Sequence, residues 1–257
     1  MSRDQISNRP GGLLAGIGIS HMSVYEDRPA PDGLNSGCGH VHAITDEAYF
    51  CVAGEGFLEL HDLDHGYRPV PLSPGSYVQF SPGTLHRVVS TGGLQVVVIM
   101  GNAGLAERGD ARIYFGPEVD DDPDRYSELA ALPKVKGRPG ALERRDASVS
   151  AYVKLMALKD SDHRVYLAEL NRFVDCHFSA AAEKRETFET VVQAGPVAWA
   201  ETALARVRSV PAQTLAPQAF GQSATSSDEP ILGMCGLLRP VETLTEIDAG
   251  LLRNLAG

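Results

Sequence analysis

The sequence predicts an α+β chain, mainly β in its N-terminal half and helical beyond. Three observations carry this. From residue 49 to residue 100, short β-branched or aromatic runs at 49–52, 56–60, 70–72, 77–80, 87–90 and 94–100 are separated by glycine or proline. Many short strands at such spacing predict a sandwich or barrel. After residue 140 the apolar period lengthens from two towards 3.6, with Val149, Tyr152, Val153 and Met156 on one helical face and Tyr166, Leu170, Phe173, Val174 and His177 on another. An acidic, proline-containing stretch lies between the two regimes.

Taken in order, residues 1–11 read as a loose polar arm, 13–19 and 22–25 as short strands, and 27–36, rich in Pro, Gly, Asp and Asn, as a loop. The barrel strands follow, then a loop over 102–110 and a last strand over 111–115. Glu118, Asp120, Asp121, Asp122, Asp124 and Glu128 face only Arg125, which predicts a solvated linker. Ser179 is placed to cap a helix through Phe188, Val191 and Val192 that Gly195 and Pro196 end. A further helix carries Trp199 and Leu204. Residues 211–230 read as irregular, followed by an apolar run at 231–238 and a short terminal helix. The expected organisation is a barrel with its arm over 1–116, a linker over 117–140 and a helical extension over 141–257.

With 33 acidic against 23 basic residues the net charge is −10, which repels phosphate backbones and anionic membrane surfaces, so neither nucleic acid nor membrane is an expected partner. Cys38, Cys51, Cys176 and Cys235 form no CxxC pair; this argues against a zinc knuckle or a disulfide scaffold and fits a reducing cytoplasm. The apolar run at 13–19 is interrupted by Gly16 and Gly18 and is too short to span a bilayer. Walker A, GxGxxG, GxSxG and HExxH signatures are absent from the sequence.

The chemistry concentrates in Gly39-His40-Val41-His42, in Glu47, and in Pro82-Gly83-Thr84-Leu85-His86. On an extended strand His40 and His42 project to one side with Cα atoms roughly 7 Å apart. The residues between His42 and Glu47 suffice for a hairpin that returns a carboxylate on the next strand. The turn at Pro82-Gly83 sets His86 at the start of another strand.

These residues resemble the two motifs of the cupin superfamily of double-stranded β-barrels (jelly rolls). His40, His42, Glu47 and Gly54 follow the spacing of its first motif, and Gly75, Pro82, Gly83 and His86 that of its second. Leu34 stands where the family places a leading glycine, and Ser90 where it often places an asparagine. The resemblance covers residues 35–105. It implies that His40, His42, Glu47 and His86 hold a divalent first-row transition metal, with Fe(II) favoured and Mn, Ni, Co or Zn also accepted by imidazole and carboxylate. It also implies pairing into a homodimer.

An ion held by three imidazoles and one carboxylate retains positions for a small oxygen-rich metabolite. The expected function is therefore that of a metal-dependent enzyme, a dioxygenase-like oxidoreductase first, with a sugar isomerase or epimerase and a non-catalytic sensor as alternatives. Tyr49 and Cys51 share the parity of Glu47, so phenol or thiol can meet substrate, Tyr49 steadying negative charge; both serve equally as core. Asn102, at the end of a strand, is a rim hydrogen-bonding residue or a turn cap. Cys38 shares the parity of His40 but reads as structural. Arg87 should face away from the barrel interior. His61 and His65 should decorate a solvated hairpin, and His163 and His177 read as ordinary helix residues.

Overall fold

The computed structural model describes residues 12–132, 134–209, 222–242 and 244–246. Strands β1 (Gly18–Val24), β2 (Asn35–Ser36), β3 (His40–His42), β4 (Glu47–Asp62), β5 (Gly66–Leu72), β6 (Tyr77–Phe80), β7 (Leu85–Met100) and β8 (Ala111–Ile113) come first. Helices α1 (Pro117–Asp120), α2 (Pro123–Ala130), α3 (Gly137–Ser161), α4 (His163–Ala182), α5 (Arg185–Val192) and α6 (Ala198–Ser209) follow, and then strands β9 (Gln222–Ser223), β10 (Ile231–Leu232), β11 (Gly236–Pro240) and β12 (Thr245–Glu246). This is the expected α+β fold. The arm at 1–11, the terminal helix and most of the irregular stretch 211–230 lie outside the described residues.

The long strand β7 is the spine. Its first half pairs antiparallel with β2, β3 and the second half of β4, so that His86 stands opposite both His40 and Leu60. Its second half pairs with β1 and the first half of β4. The inward faces enclose Met22, Tyr49, Cys51, Leu58, Leu72, Val88, Leu94, Val96 and Val98. The runs 49–52 and 56–60 belong to one strand, because the register slips at Cys51, Ala53 and Glu55 are absorbed without ending it. Gly54 makes this possible: its φ is +70°, and a Cβ there would lie 2.1 Å from the Gly93 carbonyl oxygen.

Three further expectations change. The acidic stretch is folded: Gly116-Pro117 starts α1, and the Asp122 side chain caps α2 by accepting from the Asp124 and Arg125 amides at 3.1 Å. Val119, Tyr126 and Leu129 cover Cys38, Ile113 and Phe115, while buried Asp120 pairs with Arg172 at 3.3 Å. Ser179 lies inside α4, and Gly195-Pro196 does not stop the chain, which passes through a π turn at Gln193–Val197 into α6. The widened turn tolerates the amide that proline lacks. The apolar run after residue 230 is a hairpin, not part of a helical extension: β11 pairs antiparallel with β1, from Ser20 opposite Pro240 to Val24 opposite Gly236. Gly37 admits it, since a Cβ there would lie 2.5 Å from the Cys235 Cα.

Helices α3 and α4 lie on the outer face of β3, β7 and β8, with Tyr152, Leu155, Tyr166, Leu170 and Phe173 packed on Val41, Leu85 and Tyr114. Their cover explains two more corrections. His61 is fully buried between the Tyr152 hydroxyl, 2.6 Å from its Nε2, and the Tyr166 hydroxyl, 2.8 Å from its Nδ1; only His65 decorates the exposed turn. Arg87 does face away from the barrel interior, but into the helical layer, where Asp32 at 2.5 Å, Glu59 at 3.4 Å and the Ser36 hydroxyl at 2.9 Å hold it beneath the Tyr152 ring. The four cysteines are free thiols. Among the described residues no helix is long and apolar enough to cross a membrane.

A neutral imidazole suits the two phenols, accepting from one and donating to the other. Burial, reinforced by Lys159 and Arg87, lowers the His61 pKa from 6.5 to about 3. The unfolded chain therefore binds a proton below pH 6.5 that the folded chain refuses, and stability falls as pH drops through that range. His61 is expected to contribute roughly 1.4 kcal/mol of lost stability per pH unit below 6.5. Urea unfolding of the native chain and H61Q at pH 7 and pH 5 checks this: the variant should be less stable at pH 7 by roughly 1–3 kcal/mol and less sensitive to acid. Equal acid sensitivity of the two would refute it.

Candidate metal centre

Strand β3 places His40 and His42 on one side, the turn at residues 43–46 returns the chain so that Glu47 opens β4, and the turn at Pro82-Gly83 launches β7 with His86 as its second residue. Gly83 takes φ +80° and donates its amide to the His42 carbonyl oxygen at 2.9 Å, tying the second motif to the first. All four side chains are buried, none more than 5% exposed.

Each ring is oriented through its Nδ1. That atom lies 3.1 Å from the Cys38 carbonyl oxygen in His40, 3.1 Å from the Thr84 carbonyl oxygen in His86 and 3.0 Å from Asp110 Oδ2 in His42. An oxygen acceptor holds the proton on Nδ1, so each neutral ring turns the Nε2 lone pair inward. His40 Nε2 and His86 Nε2 are 3.0 Å apart, and Glu47 Oε2 lies 3.1 Å from His86 Nε2 and 3.3 Å from His42 Nε2. The four ligand atoms all lie within 4.8 Å of one another. Ligands about 2.1 Å from an ion and at right angles to each other stand about 3.0 Å apart, so the spacing suits adjacent corners of one coordination shell.

Without an ion the quartet is four buried acceptors facing one another, and Glu47 Oε2 has no hydrogen-bond partner. Protonation relieves this in part. Burial pulls the His42 pKa down, but the carboxylates of Asp110 and Glu47 outweigh it and raise it to about 9. Burial, with His86 and His42 beside it, holds His40 well below its usual value. Burial also opposes ionisation of Glu47, yet His86 and His42 hold its carboxyl well below the usual carboxylate range.

The quartet lines a cavity of ≈ 240 Å³ through His40, His42 and Glu47, together with Ser20, Val98, Met100, Leu238 and residues 232–235. Tyr49 is fully buried with its hydroxyl unpartnered, next to Cys235 and Glu47, but it stands behind the quartet and does not line the cavity. Cys51 has the expected inward parity. It lies about 13 Å along the strand from Glu47, and its thiol meets the carbonyl oxygens of Ala53 and Gly54 in the bulge instead of the cavity. Asn102 lines a neighbouring cleft with Ala103, Pro240 and Val241. Cys38 contributes its carbonyl oxygen to His40 while its thiol packs in another cluster.

Several residues were not legible as parts of the site. Asp110, fully buried, orients His42 with one oxygen and accepts the amides of Ala43 and Ile44 with the other, at 3.1 and 2.6 Å. Its only sequence signal was its place beside Gly109 in a loop. His177 of α4 donates from Nε2 to the Asp110 carbonyl oxygen at 2.6 Å, with burial lowering its pKa to about 4. Cys235, in the turn between β10 and β11, brings its sulfur 3.8 Å from His40 Nε2. Nothing in the local pattern around residue 235 indicates this, since the contact spans most of the chain.

No protein-family model matches the chain, and no curated protein matches it. Solved structures do. A putative sugar phosphate isomerase from Acidithiobacillus ferrooxidans is 24% identical, with 33% of this chain and 49% of that one covered and a TM-score of 0.26. A cupin protein from Bacteroides fragilis is 18% identical over 35% of this chain and 70% of its own, with a TM-score of 0.27. A predicted oxalate decarboxylase from Thermotoga maritima is 23% identical over 32% and 63%, with a TM-score of 0.26. The match thus spans about half the length of the first and about a third of this chain.

The Asp110 contact predicts an order of titration. In metal-free protein His42 should remain protonated up to about pH 9, and D110N should lower its pKa by roughly 1–3 pH units. NMR titration of the imidazole carbons checks this, and a His42 resonance indifferent to D110N would refute it.

Proposed function

We propose that this chain, whose barrel is of the cupin type, is a metal-dependent enzyme that binds a divalent first-row ion through His40, His42, Glu47 and His86 and acts on a small oxygen-rich metabolite. The observation that carries the reading is the quartet itself: three imidazoles with Nδ1 tied to oxygen and Nε2 turned inward onto one carboxylate oxygen. Such a donor set is rich in nitrogen and free of thiolate, as in centres that keep positions open for substrate. When bound, the ion supplies Lewis acidity and, for iron, access to dioxygen chemistry.

Oxygenation is the subclass we favour, with Fe(II) as the ion. An isomerase needs a side-chain base to carry a proton between carbons, and outside the quartet the carboxylate that lines the cavity is Glu107, on its exposed rim and not within it; the rest of the wall is mostly Val98, Met100, Leu232, Met234 and Leu238, with Arg144. The nearby phenol of Tyr49, its pKa raised by burial with Cys235 and Glu47 beside it, stays protonated and so is no base for such a transfer. The apolar residues of the wall leave few positions that can hold the substrate's oxygens besides the centre. The Asp110 carboxylate holds the His42 ring in place, as a carboxylate behind a metal-bound imidazole commonly does.

Purified protein is expected to take up close to one ion per chain by elemental analysis, and H40A with H42A to abolish uptake. His42 must lose its proton to bind the ion, so apparent affinity should rise about tenfold per pH unit up to about pH 9, as read by competition with a coloured chelator. Oxygen consumption by the Fe(II)-loaded chain with a metabolite pool supports oxygenation. Metal-dependent exchange of solvent deuterium without oxygen uptake transfers the reading to isomerisation, and tight ligand binding with neither makes the protein a sensor.

A further inference from the structure

We infer that Arg144 is an anion-recognising residue of this cavity, and that the metabolite is a small acid with a second carboxylate in addition to the oxygens that meet the metal centre. The inference rests on the metal reading above and adds the substrate class.

Arg144 lies in α3 and lines the same ≈ 240 Å³ cavity as His40, His42 and Glu47. The residue is only 9% exposed. A guanidinium carries five N–H donors and does not lose its charge in a protein. Nη1 donates to the Ala130 carbonyl oxygen at 3.1 Å, and Nη2 to those of Gly233 at 3.1 Å and Leu232 at 3.5 Å. Nε is buried with no acceptor. These partners orient the guanidinium without neutralising it, and among the described residues no carboxylate pairs with it. The thiol of Cys38 and the phenol of Tyr25 feel its charge, but burial raises the pKa of both, and they stay neutral.

Arg87 is the contrast within the same fold. Also buried, it is matched by Asp32 and Glu59. Burial of an unmatched cation is costly. Arg112, as buried as Arg144 and likewise without an ion pair among the described residues, lies under the Tyr126 ring and donates to the Asp120 carbonyl oxygen away from the cavity, whereas Arg144 is the unmatched guanidinium on the cavity wall. The quartet with a divalent ion keeps a formal surplus of positive charge, so the cavity then presents positive charge at two places. A ligand that chelates at one and carries a carboxylate to the other satisfies both. A cavity of ≈ 240 Å³ restricts the ligand to a small acid. The carbonyl oxygens of Gly233 and Leu232 belong to the β10–β11 hairpin, so the same guanidinium secures the segment that walls the cavity.

The test uses the full chain loaded with Co(II), whose visible bands report ligands entering the coordination shell. Lactate chelates but has no second carboxylate; malate and 2-hydroxyglutarate add one at increasing distance; malamate replaces that of malate with an uncharged amide. One of the two diacids is expected to bind roughly 10- to 100-fold more tightly than lactate, and malamate to bind like lactate. R144Q should remove that margin, so that diacids and lactate bind alike to the Co(II)-loaded variant whatever its absolute affinity for lactate, and R144K should keep part of it. Equal binding of diacids and lactate by the native chain, or a margin that survives R144Q, overturns the inference. If R144Q does not fold, R144K and the diacid-to-lactate ratio of the native chain still decide. Failure to bind Co(II) removes the metal reading and this inference with it, whereas Co(II) binding without any carboxylate preference removes only this one.

Discussion

Buried acceptors that face one another must share a cation. Three imidazole nitrogens and a carboxylate oxygen at separations of 3.0 to 3.3 Å, out of contact with water, are held there by the groups behind them, and the proton that His42 keeps offsets only part of the repulsion among them. Each imidazole is pinned from behind, two by carbonyl oxygens two residues upstream, just before their own strands begin, and one by Asp110. The preorganisation is thus covalently local for His40 and His86, and tertiary for His42.

That difference gives the helical region a part in the site. Asp110 does not act alone: His177 of α4 grips its carbonyl oxygen, and the amides of Ala43 and Ile44 grip its carboxylate. On the other side Arg144 of α3 ties the β10–β11 hairpin down over the barrel mouth. The helices therefore support the centre from behind and help to close its entrance. The buried links His61 to Tyr152 and Tyr166, and Arg87 to Asp32 and Glu59, fix where the helical layer sits. Polar groups of this kind add little net stability, but left unpaired they are expensive, and so they select one docking geometry over others.

The closing hairpin also explains the cavity's character. Met234, Cys235 and Leu238 meet Val98 and Met100 of β7 to make a wall with few polar atoms. Chemistry in such a pocket depends on a handful of charged positions, because nothing else there can hold a polar ligand.

What the sequence by itself determined was everything set by short-range periodicity. Alternation along β3 put His40 and His42 on one side, turn chemistry at Pro82-Gly83 started the strand of His86, and the 3.6 period at Tyr152, Tyr166, Leu170 and Phe173 marked the faces that α3 and α4 bury. Capping signals at Gly116-Pro117 and Asp122-Pro123 were present too, though the density of charge around them hid the helices. Tertiary structure alone decided which residues far apart in the chain would meet: Asp110 with His42, Cys235 with His40, Arg144 with the hairpin, His61 with two tyrosines. None of these contacts follows from spacing, because an extended strand or a loop leaves the partner of a side chain open until the chain closes around it. The apolar run at 231–238 is the clearest instance, since a short hydrophobic segment serves as strand or helix alike and only the free edge of β1 made it a strand.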